Sequence, residues 1–388
     1  MTSIALDVHM IGARETGNET YATELAAALG RLGGYQYLLY TPHPDALPAR
    51  LRAQPNLAAR AFANLPSAVR IPWLYPRLVR ADDARLLHMM YVAPPYVTCP
   101  VVLTVHDVSY RVFPQFFSPG VRLHLDLLVG HSVRHAARVI TESESARQDV
   151  IRYYHPPAER VVVIPAAAGS QYRPQPPEEI ARVRAAYHLP ARYFLAVGNL
   201  QPRKNLIRLI EAFTTVAREA PDVQLILVGR STWRGWEVAG TVARLGLEAR
   251  VHCTGYVPDA DLPGLYAGAL GFCYPSLYEG FGLPPLEAMA CGTPTITSNV
   301  SSLPEVVGDA ALTVDPLSVA DIAAALRRLL ADEATRREYR GRGLARALEF
   351  SWARTALQTR EVYDVVVTCR CGRYSDLCTC GRVSAGRV

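Results

Sequence analysis

The hydrophobic positions of this chain form short apolar runs, separated by longer segments in which apolar residues recur with a helical period. The runs predicted to be strands cover residues 4–8, 35–41, 101–105, 138–141, 161–164, 193–197, 224–228, 251–254, 270–274 and 293–298. Short apolar runs suit buried strands, and the periodic segments between them suit helices. Their alternation predicts an α/β fold with parallel sheets.

A stretch rich in Pro, Ala and Gly, residues 165–177, interrupts this alternation and is the predicted linker. At 388 residues the chain is too long for one ordinary core and suits two α/β domains. We therefore predict a first domain over residues 1–170, a second over residues 171–350, and a Cys-rich tail over residues 368–388.

The most informative stretch, residues 273–316, reads as strand, glycine loop, helix and strand. Such loops face ligands at the carboxyl ends of the strands in open parallel sheets. Gly280 and Gly282 let the backbone approach a ligand, so that amides can donate hydrogen bonds to hydroxyls or phosphate oxygens. Glu279 lies at the mouth of this loop and can accept hydrogen bonds from sugar hydroxyls.

Glu287 lies in the first turns of the following helix, which Pro284 and Pro285 are suited to begin. The helix dipole favours a carboxylate there, and a carboxylate can bind a vicinal diol such as ribose. The alternative is a helix cap together with an ordinary surface carboxylate.

Two cations, Arg203 and Lys204, occupy the start of a predicted helix in the second domain. A helix dipole does not favour cations there, so an anion that bridges both is the simplest explanation. Lys204 is also the only lysine among the 41 basic residues of the chain. A compact ammonium differs from a planar guanidinium, although chance alone can leave one lysine anywhere.

The first domain offers weaker candidates. His106 and Asp107 follow the predicted strand at residues 101–105, where an α/β fold exposes functional side chains. A lone histidine is most often structural, and Asp107 can merely orient it. Gly12 and Gly17 lie near the first helix, where a glycine loop can admit a phosphate or an acceptor, a plain tight turn being the alternative.

Glu279, the loop 280–282, Glu287 and the segment 292–294 together resemble the donor-site signature of family 4 retaining glycosyltransferases. Other segments repeat the resemblance in the same order along nearly the whole chain. It implies the GT-B fold, in which two Rossmann-like domains face a cleft. It also implies that the last helix, residues 351–367, crosses back to the first domain.

The resemblance implies roles for the candidate residues. A sugar nucleotide would lie between the domains with its diphosphate against Arg203 and Lys204. Glu279 and the amides of Phe281 and Gly282 would hold sugar hydroxyls, with Gly280 in the same loop. Cations on the leaving diphosphate would supply the main electrostatic assistance, so no catalytic metal is expected.

For the remaining residues the resemblance implies that Glu287 binds the ribose and that His106 faces the donor sugar. Gly17 would lie along the cleft, and the backbone of Tyr256 and Val257 would meet the base. The sequence around His106 is similar to that of the mannosyltransferase branch, which makes GDP-mannose the expected donor. The acceptor would be a glycan or a lipid-linked sugar.

Two alternatives keep the same fold: a sugar-nucleotide epimerase, and a binding protein without catalysis. The formal net charge of +6 permits acidic ligands or an anionic membrane surface and does not demand nucleic acid. No signal peptide or spanning segment is apparent, so we expect a cytoplasmic protein. Residues 66–79 mix apolar side chains with arginines, and their prolines argue against one long amphipathic helix. Peripheral contact with the inner face of the membrane is one interpretation, and a packed core loop is the alternative.

The tail contains a repeat, TCRCGR and LCTCGR, with four closely spaced cysteines. The cysteines are Cys369, Cys371, Cys378 and Cys380. Four thiolates within reach of one tetrahedral site suit structural zinc, although Cys-x-Cys spacing is less typical than Cys-x-x-Cys. The alternative is a disordered tail without metal.

Overall fold

The computed structural model describes residues 2–13, 16–230 and 238–369. The chain divides into two compact units. Of the described residues, those up to 166 and those from 352 on form one unit, and those between 167 and 351 form the other. Each unit has its own parallel sheet and its own hydrophobic clusters.

The sheet of the first unit has seven parallel strands in the order β3-β2-β1-β4-β5-β6-β7. The strands are β1 (Ser3–Asp7), β2 (Gln36–Thr41), β3 (Leu57–Ala61), β4 (Leu86–Met90), β5 (Val101–Thr104), β6 (Arg138–Thr141) and β7 (Val161–Val163). The direction of winding reverses between β1 and β4, which makes the carboxyl edge there a preferred place for ligands.

The helices of this unit cover the sheet. They are α1 (Thr16–Leu32), α2 (Ala49–Arg52), α3 (Ser67–Val69), α4 (Tyr75–Ala81), α5 (Ser109–Val112), α6 (Pro119–His135) and α7 (Glu144–Tyr154). A π-helical turn, Arg70–Leu74, joins α3 to α4. Residues 66–79 are therefore divided into short helical segments and do not form one long helix. Their prolines predicted this division.

The second unit has a six-stranded parallel sheet in the order β10-β9-β8-β11-β12-β13. Its strands are β8 (Arg192–Val197), β9 (Val223–Val228), β10 (Val251–Gly255), β11 (Gly271–Tyr274), β12 (Thr295–Ser298) and β13 (Leu312–Val314). Its helices are α8 (Pro177–Ala186), α9 (Leu206–Glu219), α10 (Val238–Arg244), α11 (Leu262–Ala267), α12 (Leu283–Ala290), α13 (Leu303–Val307), α14 (Val319–Ala331) and α15 (Glu333–Ala347).

The core of the second unit lies on both faces of its sheet. Phe194 of β8 belongs to one buried cluster, whereas its neighbours Tyr193 and Leu195 belong to another. Successive strand residues point to opposite faces, so a parallel strand covered on both sides is apolar throughout. This explains why β8 is a continuous apolar run in the sequence.

The last described helix, α16 (Trp352–Thr368), packs against α1 and belongs to the first unit. The prediction of an α/β fold with two parallel-sheet, Rossmann-like domains is confirmed. None of the described helices is long and apolar enough to span a bilayer.

Candidate active site

The loop between β11 and α12 contains the predicted glycine motif. Gly282 has φ +125°, and a Cβ atom there would lie 2.9 Å from the Leu303 side chain, so a larger residue would be strained and crowded. Pro284 and Pro285 lie in the first turn of α12, as predicted. The loop therefore ends in a conformation for which glycine is suited.

Two serines before α13 hold this loop from the other side. The Ser302 hydroxyl lies 2.9 Å from the carbonyl oxygen of Glu279 and 2.6 Å from that of Phe281. The backbone N–H of Glu279 donates to Ser301 Oγ at 3.1 Å. Sequence reasoning did not identify either serine, because nothing local distinguishes them from residues that cap a helix.

Glu279 contacts both predicted cations. Arg203 Nη1 donates to Glu279 Oε2 at 2.7 Å, and Lys204 Nζ donates to Glu279 Oε1 at 2.7 Å. Lys204 is only 8% exposed. Its ammonium also bonds the hydroxyl of Tyr274, a β11 residue that sequence reasoning missed, and lies 4.6 Å from the centre of that ring.

The turn that carries the cations is fixed by Asn205. This residue has φ +59°, in the left-handed region that asparagine tolerates. Its side-chain amide donates to the carbonyl oxygens of Pro275 at 3.0 Å and Pro316 at 2.6 Å. The cation turn, the glycine loop and the segment after β13 are thus held together.

Charge compensation dominates the electrostatics of Glu279. Burial would raise its pKa, but the charges of Arg203 and Lys204 outweigh burial and lower the pKa to about 2. Glu279 is therefore a carboxylate at neutral pH, and within the protein it is the anion that bridges both cations. One negative and two positive charges leave this cluster net positive.

Glu287 has a different environment. It is buried within α12 and is not the surface carboxylate of the alternative interpretation. The hydroxyl of Tyr266 donates to Glu287 Oε2 at 3.0 Å. Burial, with a smaller contribution from Asp259, raises the pKa of Glu287 to about 7, although hydrogen bonds from Tyr266 and Tyr172 oppose the shift.

The predicted base-contacting turn follows β10. Tyr256 is 43% exposed, and the Arg230 guanidinium lies 4.8 Å from the centre of its ring. Val257, in contrast, is buried in a hydrophobic cluster. Only its backbone can therefore be available to a ligand.

His106 follows β5 at the carboxyl edge of the first sheet. Its Nδ1 atom lies 2.9 Å from Glu142 Oε2, while its ring packs edge-on against Tyr21 and Tyr91 at 4.7 and 5.5 Å between ring centres. Its Nε2 atom is buried and has no hydrogen-bond partner among the described residues. Since Glu142 engages Nδ1, Nε2 is the ring atom left for a ligand.

Asp107 does not orient His106, which was one possibility that the sequence left open. Asp107 instead accepts a hydrogen bond from the backbone N–H of Ser109 at 2.8 Å, as a residue at a tight turn often does. Glu142 takes the orienting position because β6 pairs with β5 and both strands end at the same edge. The one signal in the sequence is a carboxylate directly after a buried strand.

Gly17 lies within the first turn of α1 and not in a loop before it. No atom outside its immediate neighbours comes within 4 Å of a Cβ placed there. Gly12, which has φ +88°, donates its backbone N–H to Glu19 Oε1 at 2.8 Å. Gly12 therefore lies in a turn whose backbone conformation needs glycine, whereas the described contacts of Gly17 do not require one.

The predicted zinc site falls mostly on residues that lie outside the described part of the chain. Cys371, Cys378 and Cys380 are all beyond residue 369. Within residues 2–13, 16–230 and 238–369, no group of three or more His, Cys, Asp or Glu side chains is arranged to hold a metal ion. Zinc in the tail stays a prediction.

Two protein-family models match separate parts of this chain. "Glycosyltransferase Family 4" matches residues 16–167, and "Glycosyl transferases group 1" matches residues 179–345. The O-antigen chain mannosyltransferase B of Escherichia coli is 40% identical over 270 residues, which are 68% of this chain and 70% of that protein.

Solved structures share the fold over nearly the whole chain. The sucrose-phosphate synthase of Thermosynechococcus elongatus has a TM-score of 0.77 at 26% identity, covering 94% of this chain and 98% of that one. Anabaena Alr3699/HepE, crystallised with UDP and glucose, has a TM-score of 0.76 at 21% identity, covering 94% and 100%. At that identity the second likeness is one of fold alone.

Two parallel-sheet domains with these neighbours define a GT-B enzyme that uses a nucleotide sugar. The chain belongs to the family 4 glycosyltransferases. It is a hexosyltransferase of the retaining type that delivers a sugar to a glycan acceptor. The resemblance carried by Glu279 and Glu287 is thereby confirmed at the level of family, fold and reaction class.

Proposed function

We propose that this protein transfers mannose from GDP-mannose to the end of a glycan or a lipid-linked sugar, with retention of the anomeric configuration. The mannosyltransferase that is 40% identical supports mannose as the sugar. The observation that carries the donor site is the contact of Glu279 with both Arg203 and Lys204 beside a glycine loop. The base meets mainly backbone groups of Tyr256 and Val257 in this proposal.

Arg203 and Lys204 bind the donor diphosphate in this proposal. Their cluster is net positive because Glu279 neutralises only one of the two charges, so it attracts an anion. As the glycosidic bond breaks, negative charge collects on the leaving diphosphate and strengthens both contacts. Glu279 then accepts hydrogen bonds from the hydroxyls of the sugar, beside the amides of Phe281 and Gly282.

His106 and Glu287 act at the two ends of the donor. Glu287 accepts hydrogen bonds from the ribose hydroxyls, which requires its ionised form. Glu142 holds His106 with Nε2 directed away from its own carboxylate, and Nε2 contacts the transferred sugar. Arg203 and Lys204 supply the charge that a divalent ion would otherwise supply.

We also propose peripheral contact of the first unit with an anionic bilayer. Trp73 is 62% exposed, and α6 exposes Val121, Leu123 and Leu127 beside the exposed Arg122. Apolar side chains next to cations suit an anionic lipid surface. Vesicles with anionic lipid should sediment with the protein, whereas vesicles of zwitterionic lipid should not.

One assay separates transfer from the two alternatives. GDP-mannose is supplied with and without a mannose-terminated oligosaccharide, and free nucleotide, product glycan and epimerised donor are measured. Transfer predicts nucleotide release coupled to glycan extension. An epimerase would convert the donor without acceptor, and a binding protein would leave it unchanged. A calorimetric comparison of several nucleoside diphosphates tests the base.

A further inference from the structure

The first unit contains a buried cation that the donor site does not use. Arg70 opens the π-helical turn between α3 and α4 and is 9% exposed. This burial fits the packed core loop, one of the two interpretations of residues 66–79. Its Nε atom is buried and has no hydrogen-bond partner among the described residues. No described residue forms an ion pair or a hydrogen bond with this guanidinium.

An arginine in this condition is unusual. Buried charges in proteins are ordinarily paired, because removing a charge from water without a partner costs several kcal/mol. The π-helical turn is a second uncommon feature, and such turns are frequently found at functional sites. Burial of a charge in a turn of this kind favours a role that depends on a ligand.

The acidic group that contacts Tyr75 is already engaged by other partners. Asp7, the last residue of β1, accepts a hydrogen bond from the hydroxyl of Tyr75 at 2.7 Å. Its two oxygens also lie 2.8 and 2.9 Å from His9 Nδ1. Asp7 is therefore hydrogen-bonded to His9 and Tyr75 and forms no hydrogen bond or ion pair with Arg70.

Arg70 nevertheless lies next to this cluster, because the backbone N–H of Tyr75 donates to the carbonyl oxygen of Arg70 across the π-helical turn. Burial and the Asp7 carboxylate hold the pKa of Tyr75 well above its usual range, and the charge of Arg70 acts on the same hydroxyl in the opposite direction. The cluster occupies the carboxyl end of β1, beside the point where the winding of the sheet reverses. Ligands bind preferentially at this place in doubly wound sheets.

We propose that Arg70 binds an oxyanion, a phosphate or carboxylate group that the acceptor carries, at the carboxyl end of β1. The proposal rests on the proposed function, in which an acceptor sugar binds the protein. A guanidinium offers a planar pair of donors that matches either anion. Asp7, His9 and Tyr75 form the polar wall of this subsite, and His9 has a side chain that is 25% exposed.

Inorganic phosphate is the first probe. The full-length protein is saturated with a nucleoside diphosphate, so that Arg203 and Lys204 are occupied, and phosphate binding is then measured by calorimetry. We expect binding to wild type, a loss of at least about tenfold in affinity for Arg70→Gln, and a smaller loss for Arg70→Lys. Arg85→Gln is the matched control, because Arg85 is exposed just before β4, at the opposite edge of the same sheet.

An acceptor panel identifies the source of the anion. Transfer to a mannose phosphate, a mannuronic acid and a neutral methyl mannoside is compared at saturating donor. Wild type should prefer one of the two anionic acceptors over the neutral one. Preference for the mannose phosphate identifies the anion as a phosphate, and preference for the mannuronic acid identifies it as a carboxylate. Arg70→Gln should lose that preference by about tenfold or more through the acceptor KM, while the KM for donor stays unchanged.

Hydrogen exchange in the wild-type protein tests the same site without a variant, and it therefore decides the matter even if Arg70→Gln does not fold. In nucleotide-saturated wild type, phosphate should protect the amides of residues 66–81. Absence of that protection, or of phosphate binding, overturns the proposal, as does an Arg70→Gln variant with wild-type acceptor preference. Failure of nucleotide binding or of all sugar transfer would instead count against the proposed function.

Discussion

Lys204 and Arg70 are both buried cations, and their surroundings differ in one respect. Lys204 donates to the Glu279 carboxylate and contacts Tyr274, so its charge is compensated within the protein. Arg70 has no carboxylate or carbonyl partner among the described residues. A compensated cation is held in place before a ligand arrives, whereas an uncompensated one depends on the ligand for its partner. The donor site is thus organised in advance.

Removing Lys204 should have the largest effect. Lys204→Ala removes the ammonium that meets the leaving diphosphate in the proposed function, so it should cost roughly 3 kcal/mol in the barrier, on the order of a hundredfold in rate. Lys204→Arg should restore activity only in part, since Arg203 already fills the space for one guanidinium. Initial rates at saturating donor and melting temperatures are measured for both variants. Arg218→Ala, exposed at the far end of α9, is the control.

Arg203 still neutralises Glu279 in the Lys204→Ala variant, so we expect this variant to stay folded. Turnover near that of wild type in folded Lys204→Ala would remove the diphosphate site from this account, and with it the proposed role of Arg203.

In the first unit, the Glu142 carboxylate lies beside His106 and orients its ring, much as Glu279 holds Lys204 in the second unit. Glu142→Ala should lower kcat on the order of tenfold by freeing the ring, with little change in the KM for donor. Glu142→Gln keeps an acceptor for Nδ1–H and should recover much of the loss. The control is Glu144→Gln, which affects an ion pair with Arg147 on a half-exposed helix end. Equal losses in all three variants would contradict an orienting role.

Glu287 contrasts with Glu279 in its response to pH. Its pKa of about 7 means that donor affinity should rise severalfold between pH 6 and 8, as the acceptor carboxylate forms. Stability changes in the opposite direction. The folded pKa exceeds the ordinary value of 4.5, so protonation of Glu287 stabilises the fold by on the order of 3 kcal/mol below about pH 4.5. This contribution decreases as pH rises from there and is lost above about pH 7.

Glu287→Gln should remove both dependences, which calorimetry with a nucleoside diphosphate and thermal unfolding across this pH range will measure. A wild-type affinity that is flat between pH 6 and 8 would show that Glu287 does not bind the ribose in its ionised form.

Metal removal should have the smallest effect. If Arg203 and Lys204 supply the charge that assists the leaving group, treatment with EDTA should leave the rate unchanged within about twofold. Loss of activity that Mg²⁺ or Mn²⁺ restores would mean that the compensated cluster is not sufficient for catalysis.

Local patterns predicted most of the sheet but not all of it. β3 was missed because only Leu57 of its five residues is buried, so the strand has no apolar periodicity. β4 was missed because its residues, Leu86–Met90, include none of the β-branched or aromatic side chains typical of strands. β13 was also not predicted. In the site, Tyr274 was passed over because a tyrosine at the end of a buried strand is equally typical of a core.

The sequence by itself determined the alternation of strands and helices, the glycine loop from Glu279 to Gly282, and the position of Lys204 at the start of a helix. Each of these features depends on neighbours within one turn or one strand. Only the tertiary structure decided that Glu279 bridges both cations, that Glu142 and not Asp107 holds His106, and that Arg70 is buried. Parallel strands bring residues that are far apart in the chain to one edge of a sheet. The charge and burial of a side chain there are set by partners that no local pattern contains.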